Sequence, residues 1–501
     1  METTEFYRSQ IGDTSVMNYA YTDMPGRLLM RDIYYFFVYS WALPLILSPM
    51  RLTPSGQFAE LYPSWPNLFA LVVQVVLTAC QLLFLVVLPL AVLLPVWTAV
   101  GGVAAFLLVN WLVCRVLNGP DIVFHSHPKY AKARPEHAHE QWVFLNGVAV
   151  GEHWMQSNLD RLAITFGRPI MGIHNRTDGI LFDIVECLIQ RNFTYATADV
   201  RVCFKLLRDI LYDPSKSKVV FILHSQGGIE GGLVLDWLLQ ELPQDLLAKL
   251  EVYTFGNAAN HFNNPHRHAI SEYLTQSRPF AAIKTFMTES VVASPAVSPA
   301  ETRNGFIAGD DTRPASPTSR TVSAAKDRAI GHVEHYAHTT DFVALWGVLH
   351  FVRNKAGSPQ IPRFLGRVFA RSTGRGGHLL NQHYLDGMFP LKKDPSTGEY
   401  LGADEDNEFM EEPIHLGHED EAMDKTREAF GVAYLGTLPI DASDAKPPVD
   451  VYNVADKNKA KKATKVKELS RLWSYRNGRS PPLEKPPSLV TENGVVRMAT
   501  L

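Results

Sequence analysis

Between Leu68 and Cys114 the chain runs for 47 residues without one Asp, Glu, Lys, Arg or His. A helix turned toward water needs a polar face, so an uncharged stretch of this length leaves few places for the segment to go. One helix crossing a bilayer takes roughly 20 apolar residues. The run therefore predicts two membrane helices joined near Pro89 to Gly102, with a hairpin buried in a soluble core as the alternative. Arg115, Lys129, Lys132 and Arg134 follow directly, and such a basic flank predicts that the rest of the chain faces the cytosol. An earlier apolar and aromatic run, Ile33 to Met50, is interrupted by Pro44 and suits either a third spanning helix or a helix lying at the interface.

These runs divide the chain. Residues 1–30 read as a polar tail without the marks of a cleaved signal peptide. Residues 31–118 are the membrane segment and 119–140 a linker. From about Gln141 to residue 392 the pattern changes to strands alternating with helices, the signature of a mostly parallel sheet covered on both faces. Expected strands are Trp142–Val148, Pro169–His174, Val219–Leu223, Leu250–Phe255, a stretch around Ala281–Phe286, and His332–His338. Residues 289–328, rich in Ser, Pro, Ala and Thr, read as a disordered insertion. An acidic extension (393–450) and a basic tail (451–501) close the chain. They suit two solvated tails, or, for the basic segment with Leu469, Leu472, Trp473 and Tyr475 interleaved, a membrane-surface anchor.

Chemistry concentrates at Val219 to Gly228, an apolar strand that breaks at His224-Ser225 and enters a glycine-rich helix. A serine on such a turn stands above the sheet at the positive end of a helix. Leu223 occupies the place of the first glycine in G-x-S-x-G. A serine hydroxyl needs a base in reach and a third group to orient that base. Asp341, at the tip of the strand ending in His338-Thr339-Thr340, is the expected acid, an ordinary helix N-cap being its bland alternative. The base is His378, after the Gly-rich stretch 371–377, or else His383; His338 is a weaker third choice. Expected oxyanion donors are the N–H of Gln226 and the N–H of Val148, with Gly147 allowing close approach; Asn146-Gly147 as a simple turn is the alternative.

Other chemistries find little support. The net charge of −3 gives no pull toward nucleic acid. His125, His127, His137 and His139, and His261, His266 and His268, lack Cys partners and helical metal spacing, so no metal is assigned. No P-loop or G-x-G-x-x-G is present, so no nucleotide cofactor, and indeed no cofactor, is expected. Cys80, Cys114, Cys187 and Cys203 fit a reducing compartment rather than a disulfide framework. N-x-T sequons at Asn175 and Asn192 would suit a luminal domain, though such tripeptides are common by chance.

Over about residues 140–390 the chain resembles α/β-hydrolases, and among them class 3 lipase-like serine hydrolases. His-Ser-Gln-Gly-Gly (224–228) resembles their nucleophile elbow, Val-Tyr-Thr-Phe-Gly-Asn (252–257) the strand and turn after it, Thr-Asp-Phe-Val (340–343) the acid loop, and Gly-His (377–378) the histidine turn. The resemblance implies an α/β-hydrolase fold carrying a Ser225-His378-Asp341 triad that cleaves a carboxylic ester. The membrane segment adds a bilayer as partner and a lipid as substrate. Alternatives are an inactive scaffold, motivated by Leu223, or a thioesterase or peptidase on the same triad.

Overall fold

The computed structural model describes residues 3–7, 24–50, 53–267, 328–353, 364–373, 376–416 and 464–481. Among these, nine strands form one sheet in the order β11-β1-β8-β7-β6-β5-β3-β4-β2. The strands are β1 (Thr3–Tyr7), β2 (Val123–His125), β3 (Glu140–Leu145), β4 (Met171–Ile173), β5 (Lys218–His224), β6 (Leu250–Phe255), β7 (His332–His338), β8 (Arg367–Ser372) and β11 (Ile414–Leu416), while β9 (Leu391–Lys393) and β10 (Tyr400–Ala403) make a separate hairpin. From β8 to β4 every neighbour is parallel; β2 and β1 add antiparallel pairings at the two sides, and β11 runs parallel to β1. The chain is thus an α/β protein built on a mostly parallel sheet.

The unbroken apolar run of β5 follows from its position. Val219, Phe221 and Leu223 face a layer containing α6 (Ala198–Tyr212) and α7 (Gly227–Glu241), while Val220 and Ile222 face α4 (Glu152–Phe166) and the segment around Tyr384. A central parallel strand covered on both faces has no polar side to show.

Several sequence boundaries move. The polar tail 1–30 contains β1, the linker 119–140 contains β2, and the acidic extension contributes β11, because a sheet this wide leaves edge N–H and C=O groups that nearby chain can pair; the extension also supplies β10 of the separate hairpin. The basic tail packs on the domain where it is described. Residues 464–481 form a strap across the sheet that buries Leu472, Trp473 and Tyr475. Its Arg471 meets the buried Glu251 at 2.8 Å, and the Tyr475 hydroxyl donates to the other Glu251 oxygen. The expected strand near 281–286 and the insertion 289–328, except for Arg328, lie outside the described residues.

Two helices are long and apolar enough to cross a membrane, α2 (Trp65–Val87, continued by a 3-10 helix to Leu93) and α3 (Val96–Asn118). The run Ile33–Met50 does not provide a third. Instead α1 (Pro25–Val38) gives way to a 3-10 helix at Ser40–Ile46, and the buried Asp32 of α1 pairs at 3.1 Å with Arg191 of α5 (Ile180–Phe193). That pair holds α1 to the domain side by side. Both sequon asparagines are buried; the Asn192 amide donates to Asp32 at 2.8 Å.

Candidate active site

Ser225 sits between β5 and α7 with φ +57°, a left-handed conformation that costs a non-glycine residue on the order of 1–3 kcal/mol. Hydrogen bonds hold it there: its N–H donates to Phe255 O at 3.1 Å, and its carbonyl accepts from Gly228 and Ala258. The turn drives α7 against the neighbouring strand, so that a Cβ on Gly227 would lie 2.6 Å from Leu145 O. Leu223 fits because its partner is small. A Cβ on Gly231 would lie 2.4 Å from Leu223 Cδ1, which means the leucine occupies space that a larger helix residue would need.

The three chemistry-bearing residues come together from three strand ends. The Ser225 Oγ lies 2.8 Å from His378 Nε2, and His378 Nδ1 lies 2.9 Å from Asp341 Oδ2. Asp341 also caps the helix Phe342–Trp346 through Oδ1, which accepts from the Val343 N–H at 2.9 Å, so the helix cap and the contact with His378 use its two different oxygens. The Tyr384 hydroxyl donates to Asp341 Oδ2 at 2.6 Å. Burial alone would raise the Asp341 pKa, but the His378 ring and the hydrogen bonds from His378, Tyr384 and Val343 outweigh it and hold the carboxyl below its ordinary value. Gly256, at φ +53°, makes room for the pair, since a Cβ there would lie 2.8 Å from Asp341 Oδ2 and 3.0 Å from the His378 ring.

The alternative base, His383, is placed elsewhere: its Nδ1 accepts from the Leu379 N–H at 3.1 Å and its Nε2 faces Pro49 O. Burial pushes its pKa down to about 4, and that of His338, packed on Tyr384, down to about 3. Both are neutral structural imidazoles. His224, which the sequence reading left without a role, also lies here. Its Nε2 is 2.9 Å from the His378 carbonyl oxygen, its ring stacks on the His378 ring with centroids 4.8 Å apart, and burial followed by electrostatic repulsion between the two rings lowers its pKa to about 3.

On the other side of the hydroxyl, Gly147 approaches so closely that a Cβ would fall 2.4 Å from Ser225 Cβ and 3.0 Å from Oγ. Asn146 braces this loop by exchanging hydrogen bonds with Asn175, and Ala149, at φ +66°, donates its N–H to Asp183 Oδ2 at 3.0 Å. The N–H groups of Gln226 and Val148 donate to no acceptor among the described residues. The Gln226 side chain reaches into a buried polar cluster that the sequence reading missed, donating to Glu186 at 3.0 Å and Gln190 at 3.2 Å, while Gln190 also meets Glu230. Burial, then the Asp199, Asp183 and Asp178 carboxylates, raise the Glu186 pKa to about 8; burial, Asp199 and Glu186 raise that of Glu230 well above the usual range. Their spacing along α5 and α7 looks like ordinary helix polarity, and only the fold turns those faces inward.

No family model and no curated protein matches this chain. The reading of the site therefore rests on its own geometry.

Proposed function

We propose that the chain is a membrane-attached serine hydrolase of the α/β-hydrolase type, cleaving the carboxylic ester of a lipid through an acyl-enzyme on Ser225. The single observation that carries this is the unbroken contact chain from the Ser225 Oγ through His378 to Asp341, with spacings of 2.8 Å and 2.9 Å. His378 Nε2 takes the hydroxyl proton as Oγ attacks the ester carbonyl, and the N–H groups of Gln226 and Val148 receive the negative charge that develops on oxygen. Collapse of the tetrahedral intermediate expels the alcohol, which takes the proton back from His378. Water, activated by the same imidazole, then releases the acid. Asp341 stays ionised throughout and keeps the ring proton on Nδ1.

The scaffold alternative was motivated by Leu223, and Gly231 makes room for that side chain. The lipid substrate is favoured by the two apolar helices beside the domain. The basic flank at Arg115, Lys129, Lys132 and Arg134 supports a cytosolic catalytic face.

The test is labelling of the detergent-extracted full chain with a fluorophosphonate probe, followed by hydrolysis of a lipid extract. Labelling is expected to vanish in Ser225→Ala, and hydrolysis in Asp341→Asn to fall by roughly 10⁴ through loss of the correct His378 tautomer. A Ser225→Ala protein that still takes the probe would remove Ser225 from the mechanism.

A further inference from the structure

The α2–α3 hairpin is fastened to the domain along much of its length. Near its base, Gln74 donates to Ala149 O at 3.1 Å, and Asn118 exchanges hydrogen bonds with Thr177. Farther out, Gln81 donates to Asn110 at 2.9 Å and to Asp178 O at 2.7 Å, Asn110 donates to the same carbonyl, and the Leu181 N–H donates back to Gln81. Gly179 has to be a glycine here, since at φ +96° a Cβ would lie 2.2 Å from the Gln81 amide nitrogen. Phe182 continues the contact one turn beyond, edge-on to the stacked rings of Phe84 and Phe106.

This polar collar limits how deep the hairpin can go. Gln81 lies 16 residues along α2 from Trp65, about 24 Å at 1.5 Å per residue. If α2 crossed the bilayer with Trp65 at one interface, the loop bearing Arg176 and Asp178, and Asp183 in the first turn of α5, would be drawn most of the way through hydrocarbon, where charged groups are costly. Past the collar, residues 82–93 and 96–109 each reach about 20 Å, short of the roughly 30 Å hydrocarbon core. The turn joining the arms, Leu88-Pro-Leu-Ala-Val-Leu-Leu-Pro-Val-Trp, has no side chain suited to water on a far side. Leu93 and Trp97 at that turn are nearly four-fifths exposed.

The outer surface beside the hairpin is apolar as well. On α1 and the 3-10 helix after it, Met30, Tyr34, Phe37 and Trp41 form an exposed stripe at helical spacing; on α5, Val185, Ile189 and Phe193 form another. Helix α5 packs against both α1 and α2, so the stripes adjoin the hairpin. The same region borders the site, because Ile46 O accepts the His378 N–H at 3.1 Å.

We propose that the hairpin is a one-leaflet insertion that does not cross the bilayer, and that the α1 and α5 stripes rest on the same leaflet, presenting the Ser225 site to lipids of that leaflet. The inference rests on the membrane attachment proposed above and replaces a crossing topology with a monotopic one. It is tested with the full chain in a Cys80→Ser background, spin-labelled singly at Val76→Cys, Leu83→Cys or Leu93→Cys and reconstituted in phosphatidylcholine/phosphatidylserine vesicles. The ratio of accessibility to oxygen over a water-soluble nickel chelate is expected to rise from 76 to 83 to 93. A ratio highest at 76, with 93 open to nickel, would mean a crossing hairpin and overturn the inference while leaving attachment intact. Nickel access at all three positions, with the protein not bound to vesicles, would overturn attachment and the inference together.

Discussion

The strap at 464–481 and the α2–α3 hairpin lie against the same domain, yet their side chains meet opposite surroundings. The strap carries Lys465, Lys467, Arg471, Arg476 and Arg479, but Leu472 and Tyr475 are fully buried and Trp473 nearly so. The hairpin is almost wholly apolar, and it holds to the domain mainly by a polar edge of Gln74, Gln81, Asn110 and Asn118. Charge density therefore does not decide what is exposed. A basic segment can enter a core when each cation near the core finds an acid, as Arg471 finds Glu251 and Arg476 finds Glu405. An apolar segment whose polar groups already bond to the domain keeps its apolar face outward, and an outward apolar face of this size marks an interaction surface.

The largest expected effect that sharpens this contrast is Arg471→Ala, which leaves the buried Glu251 with only the more distant Lys218, 3.9 Å away, and should cost about 3 kcal/mol in denaturant unfolding of the detergent-solubilised chain. A loss under about 1 kcal/mol would mean that the strap is dispensable and the contrast false. Acid titration of stability comes next. Burial opposes ionisation of Glu251, but Arg471, Lys218 and His332 prevail and bring its pKa down from 4.5 to about 2. A lowered carboxyl pKa adds stability above the unfolded value and loses it as pH falls, so roughly 3 kcal/mol should disappear between about pH 4.5 and 2, and Arg471→Ala should flatten that limb.

Glu186, on the hairpin side of the sheet, should behave with the opposite sign. Its raised pKa means that the folded state holds a proton the unfolded chain has released, so its contribution is complete below about pH 4.5 and is lost as pH rises through about 8. Glu186→Gln should make that decline shallower, leaving the part contributed by Asp183 and Glu230; a wild-type profile flat from pH 5 to 8 would contradict the half-buried protonated acid. The smallest effect is expected at the hairpin turn. Leu93→Ser in detergent should change unfolding free energy by less than about 0.5 kcal/mol, because nothing in the domain packs on a side chain 79% exposed. A larger loss would place the turn inside the folded core.

Much of the site was legible in the residues. The strand-turn-helix at 219–228, the acid at the tip of the strand ending at His338, and a histidine after a glycine-rich stretch are local patterns, and local patterns survive folding when short turns fix them. The residues favour His378 but leave His383 open, because both lie near the same turn and only the packing of 46–50 on Gly377 and His383 turns one ring away. Tyr384, Gly256 and His224 also escaped, since each gains its role from an element distant in sequence.

Local apolar patterning by itself determined that a mostly parallel sheet would form and that one segment would supply two helices long and apolar enough to cross a membrane, because alternation of strands with helices and a 47-residue run free of charge leave little else. Only the tertiary structure decided that segments near both ends of the chain complete the sheet, that the apolar residues of the basic strap are buried, and how far the hairpin extends beyond the domain. The physical reason is that strand edges, ion pairs such as Glu251–Arg471 and the Gln81–Asp178 collar join residues tens to hundreds of positions apart, and no window of sequence contains both partners.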